Sequence, residues 1–121
     1  MSDLELCYLP ATEAIDRFKA KTLSPAELLT VLIERAEQVE PVINAFTYRH
    51  FDAAIDKARK AEAKYMSGKR NRVLEGLPVG IKDESHIKGK PTSNGSLIMK
   101  DFVAQTTSVG NERILRAGGI V

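Results

Sequence analysis

A lysine, two carboxylates and a loop rich in hydroxyls stand close together in the second half of the chain. The apolar run Leu77 to Ile81 ends abruptly at Lys82-Asp83-Glu84, and Gly89-Lys90-Pro91-Thr92-Ser93-Asn94-Gly95-Ser96 follows shortly after. The run predicts a buried strand with Lys82 at its carboxyl end, which is where open α/β sheets build their sites. A lysine there could relay protons, but only under one condition. With an ordinary pKa near 10.4, about one lysine in 2,500 is neutral at pH 7, so a base role requires burial that brings the value toward roughly 7 to 8. That shift of about three units corresponds to about 4 kcal/mol of differential solvation. Left in water, the same lysine is an ordinary charged surface residue.

Two rival chemistries fit less well. Neither Gly76-Leu77-Pro78-Val79-Gly80 nor Gly89-Lys90-Pro91 has the paired glycines followed by Lys and Ser or Thr of a phosphate-binding loop, and Pro91 removes a donor such a cradle needs. Cys7 is the only cysteine and His50 and His86 are the only histidines, so no metal-ligand spacing exists and no internal disulfide can form. No cofactor is expected.

Read together, Glu75 to Glu84 and Gly89 to Ser96 resemble the N-terminal part of the amidase signature family, whose members carry "GIPVAVKD" and, a little later, "G.PTT.GS". The likeness extends to Leu23–Phe46, similar to "LSPVELLEALLARIEAVNPALNAF", and to Val109–Val121, similar to "VVARLRAAGAIV". Four weak motifs in the right order and spacing make a specific match. The resemblance implies hydrolysis of the C–N bond of a carboxamide by a nucleophilic serine, a second serine with a cis peptide bond, and the lysine of the "VKD" run. Lys82 takes that lysine position. It implies a proton path from nucleophile to cis-peptide serine to lysine, with backbone N–H groups stabilising the oxyanion. Glu84 stands where the family usually has Asn, Asn94 varies in the loop, and Gly119 replaces the usual Ala, which leaves the substrate subgroup open.

The elements that must position Lys82 can be read in chain order. Thr12 is expected to cap a short, weakly docked helix with Ala14, Ile15 and Phe18 on one face. Ser24-Pro25-Ala26-Glu27 is a capping box with Pro at the first helical position, and Leu23 and Leu28 form a hydrophobic staple. Leu28, Leu32, Ala36 and Val39 then make an apolar stripe beside Leu29 and Ile33, until Pro41 discourages helix at Glu40. Val42 to Tyr48 reads as a short extended segment. A third helix runs from Asp52 to about Met66, with Phe51, Ile55, Ala58, Ala61 and Tyr65 on one side and Gly68 as its stop. The basic cluster Lys57, Arg59, Lys60, Lys64, Lys69, Arg70 and Arg72 reads first as a solvated face near a helix C-terminus, with contact to the phosphates of a nucleic acid as the lesser alternative. Leu97-Ile98-Met99 could form another buried segment. Ser108 is expected to cap a last helix through Ile114, Leu115 and Ala117 that ends at Gly118-Gly119.

The 121 residues suffice for one small domain. The expected fold class is α/β: N-terminal helices (1–70) followed by the start (71–121) of the amidase signature α/β/α fold with its mixed sheet, cut short. A hydrophobic content of 43%, a charged content of 28% and a net charge of +2 describe a globular chain and give no case for nucleic acid. Met1 to Pro10 has no leader pattern and no window approaches a membrane span, so a cytoplasmic setting is expected. Ile120-Val121 would open the next strand, and in the family this point continues toward "GGSSGGS" with both serines. The chain is therefore expected to be an N-terminal portion, from a split gene, a truncated form or a degenerate remnant. It would be inactive alone, pairing with a separate C-terminal half or self-associating, and acting on a small-molecule amide only in the complete enzyme. The alternative is a non-catalytic binding module that keeps the helices and the strand.

Overall fold

The computed structural model describes all 121 residues. Five helices appear in chain order: α1 (Asp3–Cys7), α2 (Ala11–Ala20), α3 (Pro25–Ile43), α4 (Phe51–Met66) and α5 (Val109–Arg116). Helix α3 packs on α4, with α1 against α3 and α2 against α4. The best-signalled boundary is also the most complete in geometry. Glu27 N–H donates to Ser24 Oγ at 3.0 Å and Ser24 N–H to Glu27 Oε2 at 3.4 Å, which satisfies two donors that the first turn would otherwise leave without partners. Leu23 and Leu28 of the staple are both buried, in one cluster with Leu6, Ala14, Phe18 and Tyr65.

Three helical expectations need correction. Thr12 lies inside α2 and makes no cap: Pro10 precedes the helix, and its fixed φ of −58° presets the helical entry. The helix is also firmly docked, because Phe18 is fully buried with its ring 5.8 Å from that of Tyr65, so one aromatic outweighs the short length of the apolar face. Helix α3 runs through Pro41 to Ile43 instead of stopping at Glu40. The proline removes one donor in the last turn, while Asn44 N–H donates to the Glu40 carbonyl and Phe46 N–H to Glu40 Oε1, both at 2.8 Å, so the turn stays closed from its far side. With Pro41 to Ile43 helical, the expected extended segment Val42–Tyr48 shrinks to an irregular connection. Helix α1 was not anticipated, although Ser2 and Glu5 form a capping box of their own.

Beyond α4 the chain forms no continuous strand. Leu77–Ile81 runs next to Ile120 with a single parallel bridge, Pro78 to Ile120, closed by Ile120 N–H to the Leu77 carbonyl (2.9 Å) and Val79 N–H to the Ile120 carbonyl (2.7 Å). On the N-terminal side the two segments stay joined by loop hydrogen bonds, Gly76 N–H to the Gly118 carbonyl (3.1 Å) and Leu74 N–H to the Ala117 carbonyl (2.8 Å). A second, antiparallel bridge joins Pro91 to Val103. Here the proline costs nothing, since its neighbours carry the bonds: Ala104 N–H to the Lys90 carbonyl and Thr92 N–H to the Phe102 carbonyl. Leu97–Met99, at the tip of this excursion, is a short 3-10 turn, with Leu97 87% and Ile98 96% exposed. The expected buried segment does not form, because no other element reaches that tip. Ser108 precedes α5 without capping it, its hydroxyl being drawn instead to the His86 carbonyl and to Ser85.

Candidate active site

The residues before Lys82 are anchored by a buried carboxylate. Glu75, with its side chain 4% exposed, accepts hydrogen bonds from Arg72 Nη2 (2.6 Å), Nε (2.9 Å) and N–H (3.1 Å) and from Lys64 Nζ (2.5 Å). Its own carbonyl takes the Tyr65 hydroxyl at 2.9 Å. The Arg72 guanidinium leads in holding its carboxyl down to about 2, Lys64 assisting, against a burial that alone would raise it. The next residue leaves no room for a side chain: a Cβ on Gly76 would lie 2.7 Å from Pro25 Cγ, and its φ is +80°. Of the basic residues expected on a solvated face, Lys64 turns inward and ties α4 to the segment that leads to Lys82, while Arg72, half exposed, clamps Glu75 from within that segment.

Lys82 itself stands on the rim of an open groove of about 620 Å³. The groove is walled by Leu29, Ile33, Phe46, Phe51, Ile81 and Val121, which makes it largely apolar. The lysine side chain is 79% exposed, and its nearest charge is Glu84 Oε1 at 3.7 Å, a spacing of little energetic weight in water. In this chain nothing covers it.

The adjoining loop is brought to the lysine by Asp83. Its Oδ1 accepts Ser93 N–H at 2.8 Å and its Oδ2 accepts the Ser93 hydroxyl, while Gly95 N–H donates to Ser93 Oγ at 3.2 Å. Burial would raise this carboxyl, yet the bonds from Ser93, Thr47 and Gly95 prevail and hold it below the usual carboxylate range. Thr92 and Ser93 are buried under this arrangement. Behind it, Asn111 Nδ2 donates to Ser85 Oγ (3.1 Å) and the His86 carbonyl (2.9 Å), and the Ser85 and Ser108 hydroxyls lie 3.1 Å apart. Nothing activates these hydroxyls as nucleophiles: the His86 ring packs on Phe102 at 5.4 Å, and the Ser93 proton is already given to a carboxylate. No group of three or more His, Cys, Asp or Glu side chains is placed to hold a metal ion.

The structure therefore brings Lys82 next to the Gly89–Ser96 loop. Sequence reasoning missed the roles of Glu75, of Asp83 with Ser93, and of Asn111. Glu75 carried one usable signal, a carboxylate immediately before Gly76 within an apolar run, where a charge must find partners if it is buried.

Comparison with known proteins places this geometry. The family model described as Amidase matches residues 27–121. A glutamyl-tRNA(Gln) amidotransferase subunit of Gloeothece citriformis is 35% identical over 100 residues, covering 83% of this chain and 21% of that protein. The corresponding subunit of Chloroflexus aggregans is 34% identical over 117 residues, covering 97% of this chain and 24% of that one. Among solved structures, a bacterial aryl acylamidase of the amidase signature enzymes superposes with a TM-score of 0.84 at 28% identity, over 93% of this chain and 24% of its own. Fatty acid amide hydrolase shares the fold, with a TM-score of 0.89 at 21% identity over 98% of this chain and 21% of that one. The chain thus spans between a fifth and a quarter of the length of these relatives. By its match over residues 27–121 and its superposition on an amidase signature enzyme, the chain belongs to the amidase signature family.

Proposed function

We propose that this chain is the lysine-bearing portion of an amidase that hydrolyses the C–N bond of a small carboxamide. The observation that carries the reading is the family match running through Lys82, together with the placement of that lysine on the groove rim next to the hydroxyl-rich loop. Lys82 is the proton relay, accepting from a cis-peptide serine the proton that serine takes from the nucleophile. Both serines are supplied by polypeptide outside residues 1–121. That polypeptide completes the mixed sheet beyond the Pro78–Ile120 bridge and covers the groove, and its cover removes the water that keeps an exposed lysine charged. Residues 1–121 form one unit of this enzyme, with the helices of 1–70 supporting the start of the α/β core in 71–121. The setting is cytoplasmic, which cell fractionation tests; no helix is long and apolar enough to cross a membrane.

A second reading is favoured by the groove itself. Its apolar walls suit a chain that binds a partner without turning over substrate, either a separately encoded C-terminal half or a second copy. Relatives in the family include proteins named as amidotransferase subunits, and one structural neighbour at 25% identity comes from a vestigial protein complex. An adjacent reading frame encoding the serine-rich segment favours the split enzyme over this reading.

The test is turnover of simple carboxamides by the purified chain, alone and after co-expression with the serine-bearing remainder of an amidase. The chain alone should show none, and the reconstituted protein should lose its activity on Lys82→Ala. Turnover by the isolated chain that is lost on Lys82→Ala would overturn the proposal and place the nucleophile among Ser93, Ser96 and Ser108.

A further inference from the structure

We propose that Asp83 is a positioning residue for Lys82, holding the lysine-bearing turn on the Gly89–Ser96 loop through Ser93; this rests on the reading of Lys82 as the proton relay. The two carboxylate oxygens are used separately, Oδ1 by the Ser93 N–H at 2.8 Å and Oδ2 by the Ser93 hydroxyl. The same hydroxyl accepts Gly95 N–H at 3.2 Å, so one buried serine ties the carboxylate to two points of the loop backbone. On the other side of Asp83, the Lys82 carbonyl accepts Glu84 N–H at 2.8 Å and Ser85 N–H at 3.0 Å. Asp83 is therefore the central residue of the turn that Lys82 opens, and fixing its side chain fixes that turn.

The arrangement also has an electrostatic consequence. A carboxylate paired with a neighbouring amine stabilises the protonated amine, which works against a relay that must be neutral. Although adjacent in sequence, Asp83 forms no ion pair with Lys82; both of its oxygens are engaged by Ser93, and the lysine's only ionic neighbour is the exposed Glu84. Bonds from Ser93, with Thr47 and Gly95 assisting, satisfy the charge of Asp83 without recruiting the lysine.

Amide hydrogen exchange at single-residue resolution, on the 121-residue chain, tests this without requiring activity. In the unaltered chain the Ser93, Glu84 and Ser85 amides should be protected. Asp83→Asn, which removes the charge from the acceptor of the Ser93 N–H, should lower protection at Ser93 by roughly tenfold to hundredfold, the span expected for loss of a charge-assisted bond, and Ser93→Ala, which keeps that N–H bond but removes the hydroxyl that holds Oδ2, should lower it in the same direction. Protection at Glu84 and Ser85 should fall with it, Ser93→Thr should restore all three, and α3 and α4 amides should not change. The proposal is overturned if Glu84 and Ser85 keep their protection when that of Ser93 is lost, or if Ser93→Thr fails to restore it. Should Asp83→Asn also expose α3 and α4, the comparison of Ser93→Ala with Ser93→Thr decides. Because the readout is independent of turnover, failure of the relay reading and failure of the positioning role are separately visible.

Discussion

Replacing Glu75 by Gln removes a charge that α4 and the segment leading to Lys82 share. The carboxylate is held to about 2 from an ordinary value of 4.5, which by linkage corresponds to about 3 kcal/mol of folding stability at neutral pH. Part of this is screened, because Arg72 is half exposed and Lys64 is 29% exposed, so about 2–3 kcal/mol is the expected loss for Glu75→Gln. Because folding lowers this pKa, the stabilisation is complete above pH 4.5 and is lost as pH falls from there toward 2. Urea unfolding of both proteins at a series of pH values provides the assay. The two should differ by about 2–3 kcal/mol at pH 7, a large share of the roughly 5–15 kcal/mol typical of a domain, and should converge as pH approaches 2. A variant within about 0.5 kcal/mol of the unaltered chain at pH 7, the ordinary range of surface substitutions, would refute the reasoning. So would a gap that does not close in acid.

Gly76→Ala should destabilise by roughly 2–4 kcal/mol, since a left-handed backbone costs alanine about 1–2 kcal/mol and the new Cβ meets the rigid Pro25 ring at 2.7 Å; an unchanged thermal midpoint would contradict the close approach. Phe18→Ala, at a fully buried site beside Tyr65, should cost about 3–5 kcal/mol in denaturant unfolding. A loss below about 1 kcal/mol, well under the range for a buried aromatic, would restore the weakly docked helix that the sequence suggested.

Local sequence was sufficient wherever the deciding interaction spans a few residues. The start of α3 was legible because Ser24, Glu27, Leu23 and Leu28 satisfy and pack one another within a single turn. The length of α4 and its stop at Gly68, with φ +71°, were legible for the same reason. The family could be read from motif order, which needs no coordinates. Three-dimensional contacts decided the rest. Pro41 ends helices by its local chemistry, yet Glu40 closes the turn through Phe46, six residues on from itself. The apolar run Leu77–Ile81 has the composition of a strand, but a strand requires neighbours, and it meets Ile120 through a single bridge. Lys64 looks solvated in sequence because Glu75, the buried carboxylate it reaches, lies eleven residues away. The link from Asp83 to Ser93 spans ten residues and depends on how the intervening loop folds back, so only tertiary structure could bring that carboxylate and hydroxyl together.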